Sequence, residues 1–287
     1  MENDVTYHRA EVRAVSQLTP NMIRIVFGVI APETFASSGF PDERLAVGFA
    51  DANKSGPDEA PEQPIYSEER SYTVRAWDEV TGDLTIDFVA HRGGVAAQWA
   101  LRAAVSDVVQ VSDALGWYDP PEDCDWQVLV ADMTGLPALG RIVENLPAGG
   151  RAHVIVETID AADWQELESA AEVSYEWLSG TGHGRAPSVL AAAVRQFEFP
   201  AGRGYVWFAG EAAASRVVRK YLRRELGWPV DRFEVLGYWR VRKEEWMARY
   251  DQLGGDLEEI YTKAVADGRS PDVALELYDE ALEKVGL

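Results

Sequence analysis

The sequence predicts a β plus α/β protein: an N-terminal six-stranded antiparallel β-barrel over residues 1–120, a nucleotide-binding type of parallel α/β domain over 121–241, and a C-terminal helical extension over 242–287. Three observations predict it. Before residue 120, apolar and polar residues alternate in short runs broken by Gly, Pro and Asp. From Trp126, continuous apolar runs of strand length alternate with helical patterns, which implies parallel pairing and sheet faces covered by helices. Beyond Arg240 the chain is acidic, and its apolar residues recur at helical spacing.

In the first domain, strands are expected at 5–15, 22–29, 44–50, 70–77, 84–90 and 108–111, with a hairpin-like turn at 79–83 and a helix over 95–104. Six short strands with one helix between the last two fit a small closed barrel. The stretch 51–69, rich in Pro, Asp, Glu and Gly, reads as a mobile surface loop. In the second domain, strands are expected at 128–131, 153–157, 173–177, 205–209 and 233–239, and helices at 136–144, 162–169, 189–197 and 212–226. The extension offers helical segments at 244–253, 256–267 and 271–285. Their apolar residues, such as Leu257, Ile260, Ala264 and Leu282, are expected to pack against the parent domain rather than serve a partner.

Composition narrows the function. A chain of 287 residues with 47% hydrophobic content can bury two cores. Its formal net charge of −21 argues against nucleic acid as a partner and disfavours an anionic membrane surface. The N-terminus shows no secretory signal and no window reaches the length of a membrane span, so a cytoplasmic location is expected. The lone Cys124 reads as a structurally neutral thiol, and the scattered His8, His91, His153 and His183 offer no metal-site spacing.

The most informative segment is Arg70-Ser71-Tyr72-Thr73-Val74-Arg75. Alternation puts Arg70, Tyr72 and Val74 on one strand face and Ser71, Thr73 and Arg75 on the other. An aromatic ring, hydroxyls and two arginines at a strand end can stack a flat heterocycle, bond its polar edge and neutralise a phosphate. An ordinary amphipathic strand is the alternative. Gly93-Gly94 then opens a helix whose free amides and positive dipole end suit a pyrophosphate, or simply makes a tight turn.

In the second domain, ligands are expected at the carboxyl ends of the strands, where connections diverge to opposite faces. Asp132-Met133-Thr134-Gly135-Leu136-Pro137 and Gly210-Glu211 are therefore expected to border one crevice. Thr134 offers a hydroxyl there or caps the following helix. Glu157 could accept hydrogen bonds from a ribose. With no Arg or Lys directly after it, a second phosphate has no obvious partner, which favours NADH over NADPH.

Taken in order, Arg70-Ser71-Tyr72-Thr73-Val74-Arg75, Asp87-Phe88-Val89-Ala90-His91 with Trp99-Ala100, Asp132-Met133-Thr134-Gly135-Leu136-Pro137-Ala138, Phe208-Ala209-Gly210-Glu211 and Gly237-Tyr238-Trp239-Arg240 resemble the siderophore-interacting proteins. These are flavin-dependent ferric-siderophore reductases related to the ferredoxin-reductase superfamily. The likeness spans about residues 5 to 241. It implies an FAD-binding barrel, an NAD(P)H-binding α/β domain, and electron flow from NAD(P)H through flavin to a ferric siderophore or another small acceptor. Ferrous iron is then released, with no obligatory catalytic acid or base and no metal held by the protein.

The cofactor-binding residues so implied are Arg70, Ser71, Tyr72, Thr73, Arg75, Asp87, Val89, His91, Gly94, Val95, Ala96, Ala97, Thr134, Gly210, Glu211 and Trp239. Tyr72 would lie against the isoalloxazine, Ser71 or Thr73 would bond its edge, and Arg70 and Arg75 would meet phosphate or ring oxygens. The backbone at Gly94, Val95, Ala96 and Ala97 would face the pyrophosphate. His91 either contacts the adenine side or satisfies backbone groups, and Trp239 either packs near the flavin or nicotinamide or fills the core. The alternatives are a general flavin or quinone reductase, a specialised biosynthetic flavoenzyme, and a flavin- or siderophore-binding protein without reductase activity.

Overall fold

The computed structural model describes residues 5–50, 66–90, 94–253 and 256–287. His91, Arg92 and Gly93, and positions 51–65 of the expected loop, lie outside the described residues.

The first domain contains β1 (Tyr7–Thr19), β2 (Met22–Val29), β3 (Arg44–Ala50), β4 (Tyr66–Thr73), β5 (Ala76–Asp78), β6 (Asp83–Val89), α1 (Val95–Ala100) and β7 (Val108–Ser112). Its strands form one antiparallel sheet in the order β4-β3-β7-β1-β2-β6-β5. The two outermost strands are consecutive in sequence, which forces the sheet to curl. Laid flat, six strand spacings would separate them by about 29 Å. The three Cα steps from Thr73 to Ala76 reach about 11 Å at most. Val74 donates its N–H to the Glu43 carbonyl at 3.0 Å, and Arg75 donates to the Thr85 carbonyl at 2.9 Å, so adjacent amides bond to opposite edges of the sheet. The strand expected over 70–77 is therefore two strands split at this corner, and the barrel has seven segments rather than six.

Alternate residues fill the barrel. Ile23, Ile25 and Phe27 of β2 and Leu84, Ile86 and Phe88 of β6 are buried on its inner face. Trp99 of α1 caps one end, with its ring 5.1 Å from Phe49 and 5.9 Å from Phe88. This helix stops at Ala100, four residues before its expected end.

The second domain contains β8 (Trp126–Asp132), α2 (Leu136–Glu144), β9 (Arg151–Thr158), β10 (Glu172–Ser179), α3 (Leu190–Gln196), β11 (Gly204–Glu211), α4 (Ala212–Lys220) and β12 (Phe233–Trp239). The sheet is wholly parallel in the order β10-β9-β8-β11-β12. The helix expected at 162–169 is only a 3₁₀ turn, Ala161–Asp163. Asp163 is drawn into contacts with the first domain there and bonds back to the Asp160 N–H at 3.1 Å. After α4 the chain continues in a π turn, Tyr221–Glu225.

The extension is helical: α5 (Lys243–Leu253), α6 (Asp256–Ala266) and α7 (Pro271–Lys284). Leu257, Ala264, Ala274 and Leu282 are buried. An acidic face of α7 meets the basic face of α4 and the turn after it. Arg219 pairs with Asp279, Lys220 with Glu283 at 3.0 Å, Arg223 with Glu276 at 2.9 Å, and Arg224 with Glu280. Among the described residues, no helix is long and apolar enough to cross a membrane.

Three fully buried carboxylates join the first two domains. Asp42 accepts the Trp117 and Tyr118 amides at 2.8 and 2.9 Å and the Trp207 indole N–H at 3.2 Å. Glu43 accepts the Ser37 and Ser38 hydroxyls and pairs with Arg141 of α2 at 3.2 Å. Asp163 reaches back to the β1–β2 turn, accepting the Thr19 hydroxyl at 2.7 Å and both the backbone and side-chain N–H groups of Asn21 at 2.9 and 2.8 Å.

Removing such a carboxylate strands several buried donors. Asp163→Ala is expected to lower unfolding free energy by about 3 kcal/mol in urea melts. Glu166→Ala, at an exposed position nearby, should leave the midpoint unchanged.

Candidate functional site

Strand order locates the crevice. The chain steps outward from β8 to β9 to β10, then returns to place β11 on the other side of β8. The connections after β8 and β11 therefore leave in opposite directions, and a gap opens at their carboxyl ends. Gly135 is required there: a Cβ would stand 2.8 Å from both the Cβ and the carbonyl oxygen of Ala209. The loop after β8 thus lies directly on the end of β11.

Asp132, 2% exposed, organises this end of the sheet. Its Oδ1 accepts the Thr134 N–H at 2.8 Å and the Thr134 hydroxyl at 2.6 Å. Its Oδ2 accepts the Trp239 indole N–H at 2.6 Å. One carboxylate thereby ties the first strand's loop to the last strand. Thr134 uses its hydroxyl on Asp132 and does not cap α2, whose N-cap is Gly135. Glu211 caps α4, its Oε2 accepting the Ala213 and Ala214 amides at 2.6 and 3.2 Å. Gly210 stands over Asp132, and a Cβ there would be 3.2 Å from Oδ2.

Trp239 is half-buried, with its ring parallel to that of His183 at 6.1 Å. Tyr238, the preceding residue, faces the barrel. The Arg44 guanidinium lies between its ring, at 4.6 Å, and that of Trp117, at 4.7 Å. Burial holds the Tyr238 phenol well above its ordinary pKa. Thr73 Oγ1, Tyr238 Oη and Arg44 Nε are buried in this region without hydrogen-bond partners.

On the barrel side, β4 is an edge strand paired with β3. Arg70 and Tyr72 are half-buried and Ser71 is exposed. The alternation expected at its end fails, because Thr73 and Val74 are both buried where the chain turns the barrel corner. The Tyr72 ring lies 4.4 Å from Phe88, and burial raises the pKa of its phenol.

Two implied ligand residues are otherwise engaged. Arg75 binds Glu144 of α2 through both terminal nitrogens, at 2.9 and 2.5 Å, bracing the domains rather than waiting for a phosphate. Asp87 makes a two-pronged pair with Arg24 at 2.7 and 2.8 Å. Val89 packs into the core shared with the α/β domain. Gly94 has φ 76°, a backbone setting suited to glycine, and no side chain caps α1. The first bond of this helix runs from the Gln98 N–H to the Gly94 carbonyl, so the amides of Val95, Ala96 and Ala97 precede the helical ladder.

Glu157 does not face a ribose. It is 1% exposed, and its carboxylate accepts the Thr181 hydroxyl at 2.7 Å and the Val189 N–H at 2.8 Å. The loop after β10 closes over it. Beside that loop lies a cavity of about 350 Å³ bordered by His183, Glu211, Arg216, Trp239, Arg240 and Trp246. Sequence reasoning did not single out Asp132, His183, Arg216 or Arg240 as site residues. The first had a signal, a buried-strand terminus ending in an acid.

Known proteins match both halves. The model described as siderophore-interacting FAD-binding domain matches residues 11–116, and that of the siderophore-interacting protein matches residues 124–242. The NADPH-dependent ferric-chelate reductase of Escherichia coli (strain K12) is 30% identical, over 84% of this chain and 96% of its own length. Ferric vibriobactin reductase ViuB of Vibrio cholerae is 30% identical over 61% of this chain and 66% of its own. The crystal structure of a siderophore utilization protein from T. fusca superposes with TM-score 0.70 at 33% identity, covering 82% of this chain and 93% of that one. The ferredoxin reductase in carbazole 1,9a-dioxygenase, at 12% identity and TM-score 0.60 over 83% of this chain and 71% of that one, shares the fold. Barrel, parallel sheet and sequence agree over nearly the whole length of a relative, and the chain belongs to the siderophore-interacting protein family, with its FAD-binding domain and ferredoxin-reductase-like fold.

Proposed function

We propose that this chain is a cytoplasmic FAD-dependent ferric-siderophore reductase that draws electrons from NAD(P)H. The observation that carries this reading is the meeting of β4 and β12. The barrel strand with Ser71, Tyr72 and Thr73 ends beside Tyr238, whose neighbour Trp239 is tied to Asp132 at the crevice of the parallel sheet. A flat ring on the barrel strand would therefore face a dinucleotide lying across the strand ends.

The residues present fit an isoalloxazine and its phosphates. Thr73 and Tyr238 bring two buried hydroxyls together from the two domains, a polar spot that suits the edge of a ring. Ser71 and the edge-strand amides of β4 supply further donors, and Tyr72 supplies an aromatic face. Arg70 would provide positive charge for a phosphate, and the amides of Val95, Ala96 and Ala97, which precede the helical ladder, would bond the pyrophosphate. Arg75 and Asp87 act by fixing the scaffold through Glu144 and Arg24. Bound FAD would supply the exchange between a two-electron hydride donor and a one-electron ferric acceptor. The protein's part is to align the partners and keep water from the ring, and Asp132 serves this by holding Thr134 and Trp239 in one geometry. The ferric complex is substrate, and the net charge of −21 favours a neutral or cationic one.

Anaerobic mixing tests the reading. NADH or NADPH should bleach the flavin, and a ferric siderophore should restore its colour. Bleaching without response to ferric chelates would point to a general flavin or quinone reductase, and no bleaching to a non-reducing binding protein. Arg70→Ala should raise the FAD dissociation constant about tenfold to a hundredfold in absorbance titrations, with an unchanged melting temperature of the flavin-free protein. Asp132→Ala should leave flavin content intact and raise the nucleotide KM about tenfold, because Trp239 and the Thr134 loop lose their common anchor.

A further inference from the structure

The cavity of about 350 Å³ at the sheet's carboxyl end lies on the side of Trp239 away from the barrel. Adjacent residues on a strand face opposite ways. Tyr238 turns to Arg44 of β3, and Trp239 turns to His183 and the cavity. A dinucleotide that begins at the flavin and crosses the Asp132 crevice would arrive here with its adenosine end. The outer wall comes from the extension, through Trp246 of α5 and the terminal Leu287.

Arg216 and Arg240 both border the cavity and are both half-buried. Among the described residues neither has a carboxylate partner, although acids outnumber bases 48 to 27 in this chain. The contrast along α4 and its π turn is instructive. Arg219, Lys220, Arg223 and Arg224 each pair with an acid of α7, while Arg216, at the end of that ladder, stands between the α7 acids and the cavity without forming an ion pair of its own. The acids near Arg216 and Arg240 are already engaged: Glu211 with the α4 amides, Asp279 with Arg219. Arg216 Nη1 is buried without a hydrogen-bond partner. The Arg240 guanidinium lies 4.0 Å from the centre of the Trp246 ring, which fixes its plane. Burial, and then the charge of Arg216, lower the pKa of Arg240, outweighing the opposing influence of Glu211 and Asp279.

We propose that this cavity seats the ribose phosphate of NADPH, gripped by Arg216 and Arg240, with the C-terminal extension as its outer wall. The inference rests on the reading of the chain as an NAD(P)H-dependent flavoenzyme. A phosphate monoester brings nearly two negative charges and three acceptor oxygens, which match two guanidinium forks. It also replaces the sequence-based preference for NADH. That preference assumed that the ribose would be read next to Glu157, and Glu157 is closed off by the loop after β10.

The test uses the full-length, FAD-loaded protein. Calorimetry with 2′,5′-ADP and with ADP reads the phosphate site without turnover, and anaerobic flavin reduction reads KM for NADPH and NADH. The wild type should bind 2′,5′-ADP at least tenfold more tightly than ADP, on the order expected for charge-assisted bonds. Arg216→Gln and Arg240→Gln should each remove most of that margin and raise KM for NADPH about tenfold, with KM for NADH changed less than about twofold. Arg216→Lys should recover part of the loss. Equal binding of the two nucleotides by the wild type, or equal loss for NADPH and NADH in the variants, would overturn the proposal. So would a rise confined to the KM of the ferric chelate, which would assign the arginines to the acceptor. Tight 2′,5′-ADP binding with no flavin reduction by either nucleotide would refute the reductase reading while leaving the phosphate site standing.

Discussion

Buried carboxylates that cross the boundary between barrel and parallel sheet fix everything else. Asp42, Glu43 and Asp163 have essentially no exposure, and each accepts several hydrogen bonds, with at least one partner on the other side of the boundary. An ionised carboxylate withdrawn from water is tolerated only when its lone pairs are filled, so each is satisfied in one relative placement of the domains and costly in any other. The Arg75 to Glu144 pair adds a fourth brace at the barrel's corner. A rigid angle matters because the chemistry proposed here needs two flat rings held face to face, one from each domain, within a fraction of an ångström.

The barrel meets this constraint through its topology. Its two edge strands are neighbours in sequence, and the corner between them, Val74-Arg75, bonds to both edges. The segment proposed to offer Arg70, Ser71, Tyr72 and Thr73 to the flavin therefore ends at the point where the barrel closes and the second domain begins. Residues on such a corner are held by backbone hydrogen bonds on one side and by Arg75 on the other. They do not depend on a loop finding its place.

Much of the fold was legible. Helix 136–144 and strand 233–239 coincide with their expected limits, because Gly135-Leu136-Pro137 marks a helix start and Phe233, Val235, Tyr238 and Trp239 are residue types that suit a strand even at the sheet's edge. Local pattern could not reveal the break at Val74, since both halves of 70–77 suit strands and only the sheet order makes the corner necessary. It failed at 162–169 because Asp163 serves the barrel, a contact 144 residues away from Thr19. The loops after the first and fourth strands, expected to border one crevice, do lie together, with Gly135 against Ala209. Their organiser Asp132 was quoted within a motif but not read as a hub, and the spatial pairing of Arg216 with Arg240 leaves no trace in spacing. Arg75 and Asp87 show the converse: residue types suited to a ligand that the fold has spent on partners in other elements.

The chain's acidity is also organised. Part of the excess negative charge lies on α7, where it neutralises the basic face of α4 and leaves the neighbouring arginines unpaired at the sheet's carboxyl end. The central claim is that one flavin is held between β4 and the strand ends of the parallel sheet. The visible absorbance spectrum of the purified protein, calibrated against released cofactor, tests it most directly. Bands of oxidised flavin at about one FAD per chain, retained through gel filtration, are expected. Folded protein that is colourless and takes up no added FAD would contradict it.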